Sequence, residues 1–171
     1  MVSTLRLRPL VPHDENAALA AHDALAQDNF TFLLDYIPGE LWETYLHRLS
    51  EQRRGLDLPE DRVPATFLVA TIGGRLVGRI SIRHTLNDYL AIYGGHIGYC
   101  VVPECRRRGH AEEMLRQGLI VARSLGVESV LATCDEDNIG SARVLEKNGG
   151  VLESVIEQPC RTIPLRRYWI H

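Results

Sequence analysis

No run of about 18 apolar residues occurs anywhere in this sequence, so no membrane-spanning helix is expected. The opening segment MVSTLRLRPL also lacks the apolar centre of a secretory leader, and none is expected. A basic excess is missing too. Nineteen Lys and Arg stand against 22 Asp and Glu, a formal net charge of −3, which argues against a general binder of nucleic acid or of anionic membrane. Cysteine is sparse: Cys100, Cys105, Cys134 and Cys160 form no Cys-x-x-Cys pair and no zinc-type spacing with histidine. No metal is therefore expected, and the thiols read as reduced, as in a cytoplasmic protein. No repeat, low-complexity tract or Pro/Gly-rich linker splits the chain, so residues 1–171 read as a single domain.

What is present is strongly patterned. Leu5–Arg8 alternates with period two, as a half-buried strand does. Helical spacing follows over Ala17–Leu25 and again over Gly39–Arg54, where Leu41, Trp42, Tyr45, Leu46 and Leu49 recur. Ala65–Ile72 and Arg75–His84 are strand-like runs joined by Gly73-Gly74, a hairpin signal. Asn87–Gly94 has no assignable pattern. Gly95–Val102 reads as a strand that Pro103 ends. Ala111–Leu125 is the clearest helix: Ala111, Leu115, Leu119 and Ala122 share a face that Met114, Ile120 and Leu125 widen, and Gly126 stops it. Val127–Thr133 (strand), Asn138–Asn148 (helix), Val151–Ile156 and Arg161–Ile170 (strands) complete the order β-α-α-β-β-β-α-β-α-β-β. Strand–helix–strand units in the second half predict an α/β (α+β) architecture with a partly parallel sheet.

The segment ECRRRGHAEEML, Glu104–Leu115, needs a local explanation. Three adjacent cations in a net-acidic chain repel one another unless an anion sits among them. A helix starts there, so its first N–H groups lack intrahelical partners, and its dipole adds about half a positive charge. Gly109 lets a ligand approach the backbone closely. Guanidinium groups suit phosphate oxygens. Together these make a pyrophosphate cradle; the competing reading is a solvated basic turn.

The surroundings of the cradle resemble the GNAT superfamily of acetyltransferases. Arg106-Arg107-Arg108-Gly109-His110-Ala111 is similar to that superfamily's Arg/Gln-x-x-Gly-x-Gly/Ala signature, and Asp137–Gly150 to its second motif, Asn-x-x-Ser/Ala followed by a helix. The resemblance covers Gly95–Leu152 closely. HIGYCVVPECRRRGHAEEML, TCDEDNIGSARVLEKNGGVLE and the terminal RRYWI resemble a bacterial branch of predicted acetyltransferases, with ribosomal-protein N-terminal acetyltransferases as more distant relatives. Two positions depart from the pattern. Leu145 stands where many members carry a tyrosine that acts as acid, and Gly150 replaces the phenylalanine of a Gly-Phe pair.

The resemblance implies a mixed, mostly antiparallel sheet of about seven strands with a parallel splayed pair, flanked by four helices. It implies acetyl-CoA as co-substrate and a primary amine, small molecule or protein N-terminus, as acceptor, attacked directly in a ternary complex. A homodimer is common among such proteins. Backbone groups of Tyr99, Cys100 and Val101 would pair with the pantetheine arm. Arg106, Arg107, Arg108, Gly109, His110, Ala111 and Glu112 would hold the pyrophosphate, and Asn138 and Ser141 would meet the arm near its sulfur. Deprotonating a lysine-like amine at pH 7 costs about 4–5 kcal/mol, so a base is useful. His96 is the first candidate, with Asp135 and Glu136 behind it. Ser141 and Tyr168 are candidates for the acid that protonates the thiolate. Cys134 and Cys100 read as small buried hydrophobes rather than nucleophiles. The stretch NFTFLLDY, Asn29–Tyr36, with Trp42 and Tyr45, reads as helix packing or as the cover of an acceptor site. A non-catalytic acyl-CoA-binding module stays open as the alternative; a dinucleotide turn at GGHIG does not, because no helix opens there.

Overall fold

Arg6–Arg8 (β1) realises the period-two pattern as an edge strand. A computed structural model describes residues 4–171; Met1, Val2 and Ser3, which begin the segment MVSTLRLRPL and the expected single-domain span, lie outside the described residues. The remaining elements are α1 (Glu15–Ala26), α2 (Trp42–Arg54), β2 (Ala65–Ile72), β3 (Arg75–Arg83), β4 (Ile97–Val101), α3 (His110–Ser124), β5 (Val130–Asp135), α4 (Ile139–Lys147), β6 (Val151–Gln158) and β7 (Arg161–Ile170). They build one seven-stranded sheet in the order β1-β2-β3-β4-β5-β7-β6, antiparallel throughout except for the β4/β5 pair. No helix among the described residues is long and apolar enough to cross a membrane.

Local chemistry accounts for the boundaries. Gly73 and Gly74 both have positive φ, 57° and 82°, as a tight two-residue hairpin turn demands. The α1 helix is reached through a 3₁₀ turn at Pro12–Asp14. There the Asp14 carboxylate accepts the Val11 N–H and clamps Arg8 through two oxygens at 2.6 and 2.8 Å. The α2 helix begins at Trp42 rather than Gly39, because Glu40 closes a turn on the Ile37 N–H and holds Arg48. Strand β5 begins at Val130 rather than Val127: after α3, Gly126 turns left-handed at φ 87°, and the Val127 N–H closes back onto the Ala122 carbonyl. Asn87–Gly94 holds a π-turn at Leu90–Gly94, seeded by the Asn87 side chain accepting the Leu90 N–H.

The core lies between the sheet and helices on both of its faces. On β3, Ile80 and Ile82 face α3, and a Cβ at Gly118 would lie 2.3 Å from the Ile80 Cδ1, so glycine there lets helix and sheet close up. Leu115, Leu119, Ala122 and Met114 are buried as the helical spacing predicts. Ile120 is 54% exposed, because 3.6-residue periodicity carries it round to the solvent side. Tyr36 packs edge to face against Trp42 and Tyr45, which are tilted against each other, and Phe32 is fully buried among the core residues, so that part of the aromatic stretch serves helix packing. The four cysteines are unbridged.

Candidate active site

The one parallel junction of the sheet opens almost at once. Strands β4 and β5 share a single ladder pair, Ile97 with Ala132, and then part. Just before that pair, the His96 N–H donates to the Leu131 carbonyl, and the His96 Nδ1 accepts the Leu131 N–H at 2.9 Å. Beyond it, among the described residues, β4 makes strand-to-strand backbone bonds only to β3. Arg83 N–H donates to His96 O, and Val102 N–H donates to Val77 O on β3. The pleat therefore turns the N–H and C=O groups of Tyr99 and Val101 toward the opening, while those of Cys100 face β3 opposite Arg79.

At the mouth of this gap lies a cavity of 630 Å³ bordered by β4, the Cys105–Glu112 turn and the start of α4. The turn alternates its handedness. Arg107 has φ 62° and Gly109 φ 78°, which aims successive backbone N–H groups inward ahead of α3. A Cβ built on Gly109 meets no atom within 4 Å; the space above that residue is open. These features suit a diphosphate: free amides, a helix N-terminus and a guanidinium on one concave surface.

Of the residues singled out in the sequence, Tyr99, Cys100, Val101, Arg106, Arg107, Gly109, His110, Ala111, Glu112, Asn138 and Ser141 all border this cavity. Several are already engaged. Arg106 pairs with Asp28 at the end of α1 at 2.7 Å and donates to the Val101 carbonyl, so it closes the turn onto the first helix. Glu112 pairs with Lys147 of α4 at 2.8 Å. Asn138 caps α4, its Oδ1 accepting the Ser141 N–H. Arg108 is exposed and is not on the cavity wall. Leu25, Asp28 and Phe30 also border the cavity; nothing in their sequence spacing signals this, because they arrive from the other side of the sheet.

Two catalytic candidates lie off the cavity. Tyr168 is fully buried on β7, and its hydroxyl donates to Glu146 of α4 at 3.1 Å. His96 is buried at the vertex of the gap. Its Nδ1 must stay unprotonated to accept the Leu131 N–H, so a proton taken up by this ring would set two donors against each other. Burial, with the Arg83 cation in second place, holds its pKa below the ordinary histidine value. His84 is lowered in the same way, by burial and then by Arg53. Folded-state pKa values below the unfolded value of about 6.5 mean that the unfolded chain binds more protons in this range. Stability is thus fully present above pH 6.5 and is lost as pH falls through the folded values. Urea-unfolding midpoints are expected to decline between pH 7 and pH 5, before the carboxylates titrate; a flat profile over that interval removes this coupling.

The structure also supplies a hydroxyl that the motif reading left unnoticed. The Tyr99 phenol reaches Ser141 on α4, with its oxygen 2.8 Å from the Ser141 Oγ. Burial pushes the Tyr99 pKa up to about 12, so the phenol stays protonated. Burial also raises the Cys134 thiol, with Ser141 and Arg166 acting against that rise, so Cys134 is not poised as a thiolate. Leu145, in the position of the expected tyrosine, is fully buried in the core.

A mostly antiparallel seven-stranded sheet, split at its single parallel pair, with an arginine-rich turn and helix N-terminus at the split, defines the GNAT class of fold. A family model described as an acetyltransferase (GNAT) domain matches residues 4–151, and the chain belongs to that family. Among solved structures, yncA, a putative acetyltransferase from Salmonella typhimurium determined with acetyl-CoA, is 14% identical, with 97% of this chain and 92% of that one covered at a TM-score of 0.65. RimJ from Mycobacterium smegmatis, determined with CoA-disulfide, is 21% identical over 98% of this chain and 82% of that one, at 0.68. A spermidine N-acetyltransferase SpeG chimera from Vibrio cholerae and hSSAT is 15% identical over 98% of this chain and 95% of that one, at 0.65. No match was found among curated proteins.

Proposed function

We propose that this acetyltransferase moves an acetyl group from acetyl-CoA to a primary amine by direct attack in a ternary complex. The observation that carries the reading is the meeting of the split β4/β5 pair with the open Gly109 turn in one cavity. Backbone groups of Tyr99 and Val101 pair with the amides of the pantetheine arm, and one N–H polarises the thioester carbonyl. The amides of Arg107–Glu112, with the Arg107 guanidinium, wrap the pyrophosphate. Asn138 presents its amide group to the arm.

Tyr99, positioned by Ser141, is the donor that protonates the leaving thiolate and takes the part for which Leu145 is unsuited. His96 ties the vertex of the gap together, and the acceptor's proton leaves through water. Three buried free thiols suit a reducing compartment, and the reaction is assigned to the cytoplasm.

Incubation with acetyl-CoA and an amine panel is expected to release free thiol. Tyr99→Phe should lower kcat by about 10²-fold, within the usual range for a general acid, while acetyl-CoA affinity holds. An unchanged kcat removes the acid role from Tyr99. Tight binding of acetyl-CoA without thiol release from any amine turns the reading into that of a non-catalytic sensor.

A further inference from the structure

On the face of the sheet opposite α3, strand β3 presents Arg79, Ser81 and Arg83 in succession, at the two-residue period of one strand face. No carboxylate reaches either arginine among the described residues. Arg79 is 3% exposed and spends all three nitrogens on carbonyls: Nε on Phe32, Nη1 on Gly98 and Nη2 on Thr31. Arg83 spends only Nη1, on the carbonyls of Gly94 and Gly95 at 3.2 and 2.9 Å. Those contacts pin the guanidinium at the end of the π-turn. Its Nε and Nη2 have no protein partner among the described residues. Ser81 is 4% exposed, and its hydroxyl has no partner among the described residues either.

Ser81 and Arg83 both border a second cavity, of 440 Å³. That volume lies within the range of about 300–1,000 Å³ usual for small-ligand sites. Leu34, Val63 and Leu90 supply apolar wall, and Tyr89 stands at the rim, 66% exposed. Two cations and two acids share the wall. Arg62 is spent on Asp35, and Asp61 is exposed. Arg83 is left without a counter-charge among the described residues. Burial, and then the Arg79 and Arg62 cations, weaken its hold on its proton, which an anion against the free edge would restore.

The kind of anion follows from the donors. The Nε–Nη2 edge of a guanidinium matches a carboxylate through two parallel N–H···O bonds, and one charge meets one charge. A phosphate dianion would bring a second charge with no further free cation to meet it, in a cavity that Asp35 and Asp61 also border. The apolar wall suits an alkyl or aryl group behind the carboxylate.

This cavity is separate from the one at the β4/β5 gap, and the two share no wall residue. Arg79 stands between them. Its Nη1 lies over Gly98, where a Cβ would come within 3.7 Å of it, and its other nitrogens hold the Thr31 and Phe32 carbonyls against β3. Phe30, before that tie, borders the first cavity, and Leu34, after it, borders the second.

We propose that the second cavity is a binding site for a small monocarboxylate with an apolar body, held by the Nε–Nη2 edge of Arg83 and the Ser81 hydroxyl, and that it fills independently of the acetyl-CoA gap.

The test uses probes that carry no amine and so cannot be acetyl acceptors: phenylacetate and hexanoate, each against its own amide, with inorganic phosphate as a third anion. Dissociation constants are read by ligand-detected NMR on the whole protein, with and without saturating acetyl-CoA. At least one acid is expected to bind about tenfold or more tighter than its amide, as a charged hydrogen-bonded pair implies, and tighter than phosphate. Acetyl-CoA should change that constant by less than about twofold, the mark of uncoupled sites. Arg83→Gln should reduce the acid to the level of its amide, and Ser81→Ala should weaken it by about threefold or more. Acids that bind no better than amides or phosphate, an acid that acetyl-CoA displaces, or an affinity unchanged in either variant overturns the proposal. None of these outcomes touches the acetyl-transfer reading, which thiol release tests separately. Should Arg83→Gln fail to fold, the acid–amide comparison on the wild type and the Ser81→Ala result decide the matter.

Discussion

Gly109→Ala is expected to leave the protein folded and to weaken acetyl-CoA binding by at least about tenfold, or about 1.4 kcal/mol. The two halves of that expectation have separate causes. The new methyl group meets no atom within 4 Å, so packing is untouched, and the cost to the fold is that of holding alanine at φ 78°. That cost is about 1–2 kcal/mol, or a loss of roughly 2–8 °C in melting temperature for a chain of this size. The space the methyl occupies is the space in which a diphosphate would approach the amides. Calorimetric titration with acetyl-CoA, read beside a melting curve, separates the two effects. A variant that melts a few degrees lower yet binds acetyl-CoA as tightly as the wild type would show that the turn is not the cradle.

Arg79→Met is expected to destabilise the fold by about 3 kcal/mol. The arginine carries three hydrogen bonds from a charged donor, each worth about 1.5–3 kcal/mol, and lies 5.2 Å from the centre of the Phe30 ring. Methionine replaces the apolar stem but none of the bonds. It also removes a buried charge whose desolvation was costly, which returns part of the loss. The net effect corresponds to a fall of roughly 6–12 °C in melting temperature. The damage is directional, because Thr31 and Phe32 lie 48 and 47 positions from Arg79 and are tied by it to β3. Without that tie, Phe30 loses its place on the wall of the first cavity, and thiol release should fall together with stability. A methionine variant that melts at or above the wild-type temperature would mean that Arg79 is tolerated rather than required.

The turn that borders the first cavity was legible in the sequence because it is local. Pro103, the arginine run, Gly109 and the amphipathic helix after it are contiguous, and backbone geometry alone makes them a turn with free amides. The Gly73-Gly74 hairpin and the α3 stop at Gly126 were legible for the same reason. The functions of individual side chains were not. Arg106 reads as a phosphate ligand until α1 brings Asp28 against it. His96 reads as a base until Leu131 is found donating to its ring. Tyr168 reads as an acid until the sheet register places it on Ala132 and turns its hydroxyl to Glu146. Tyr99 reads as a strand residue whose backbone alone would meet the pantetheine arm, until its phenol is found at Ser141.

By itself the sequence determined most of the elements and the glycine turn ahead of α3, since spacing, glycine and proline act within a few residues of themselves. It also determined that this turn follows a strand and opens a helix. Only the tertiary structure decided which polar groups remain unspent. A hydrogen bond or ion pair between distant residues consumes a donor or a charge, and that consumption is invisible until the chain has closed. What is left over at the gap is the backbone edge of β4 at Tyr99 and Val101.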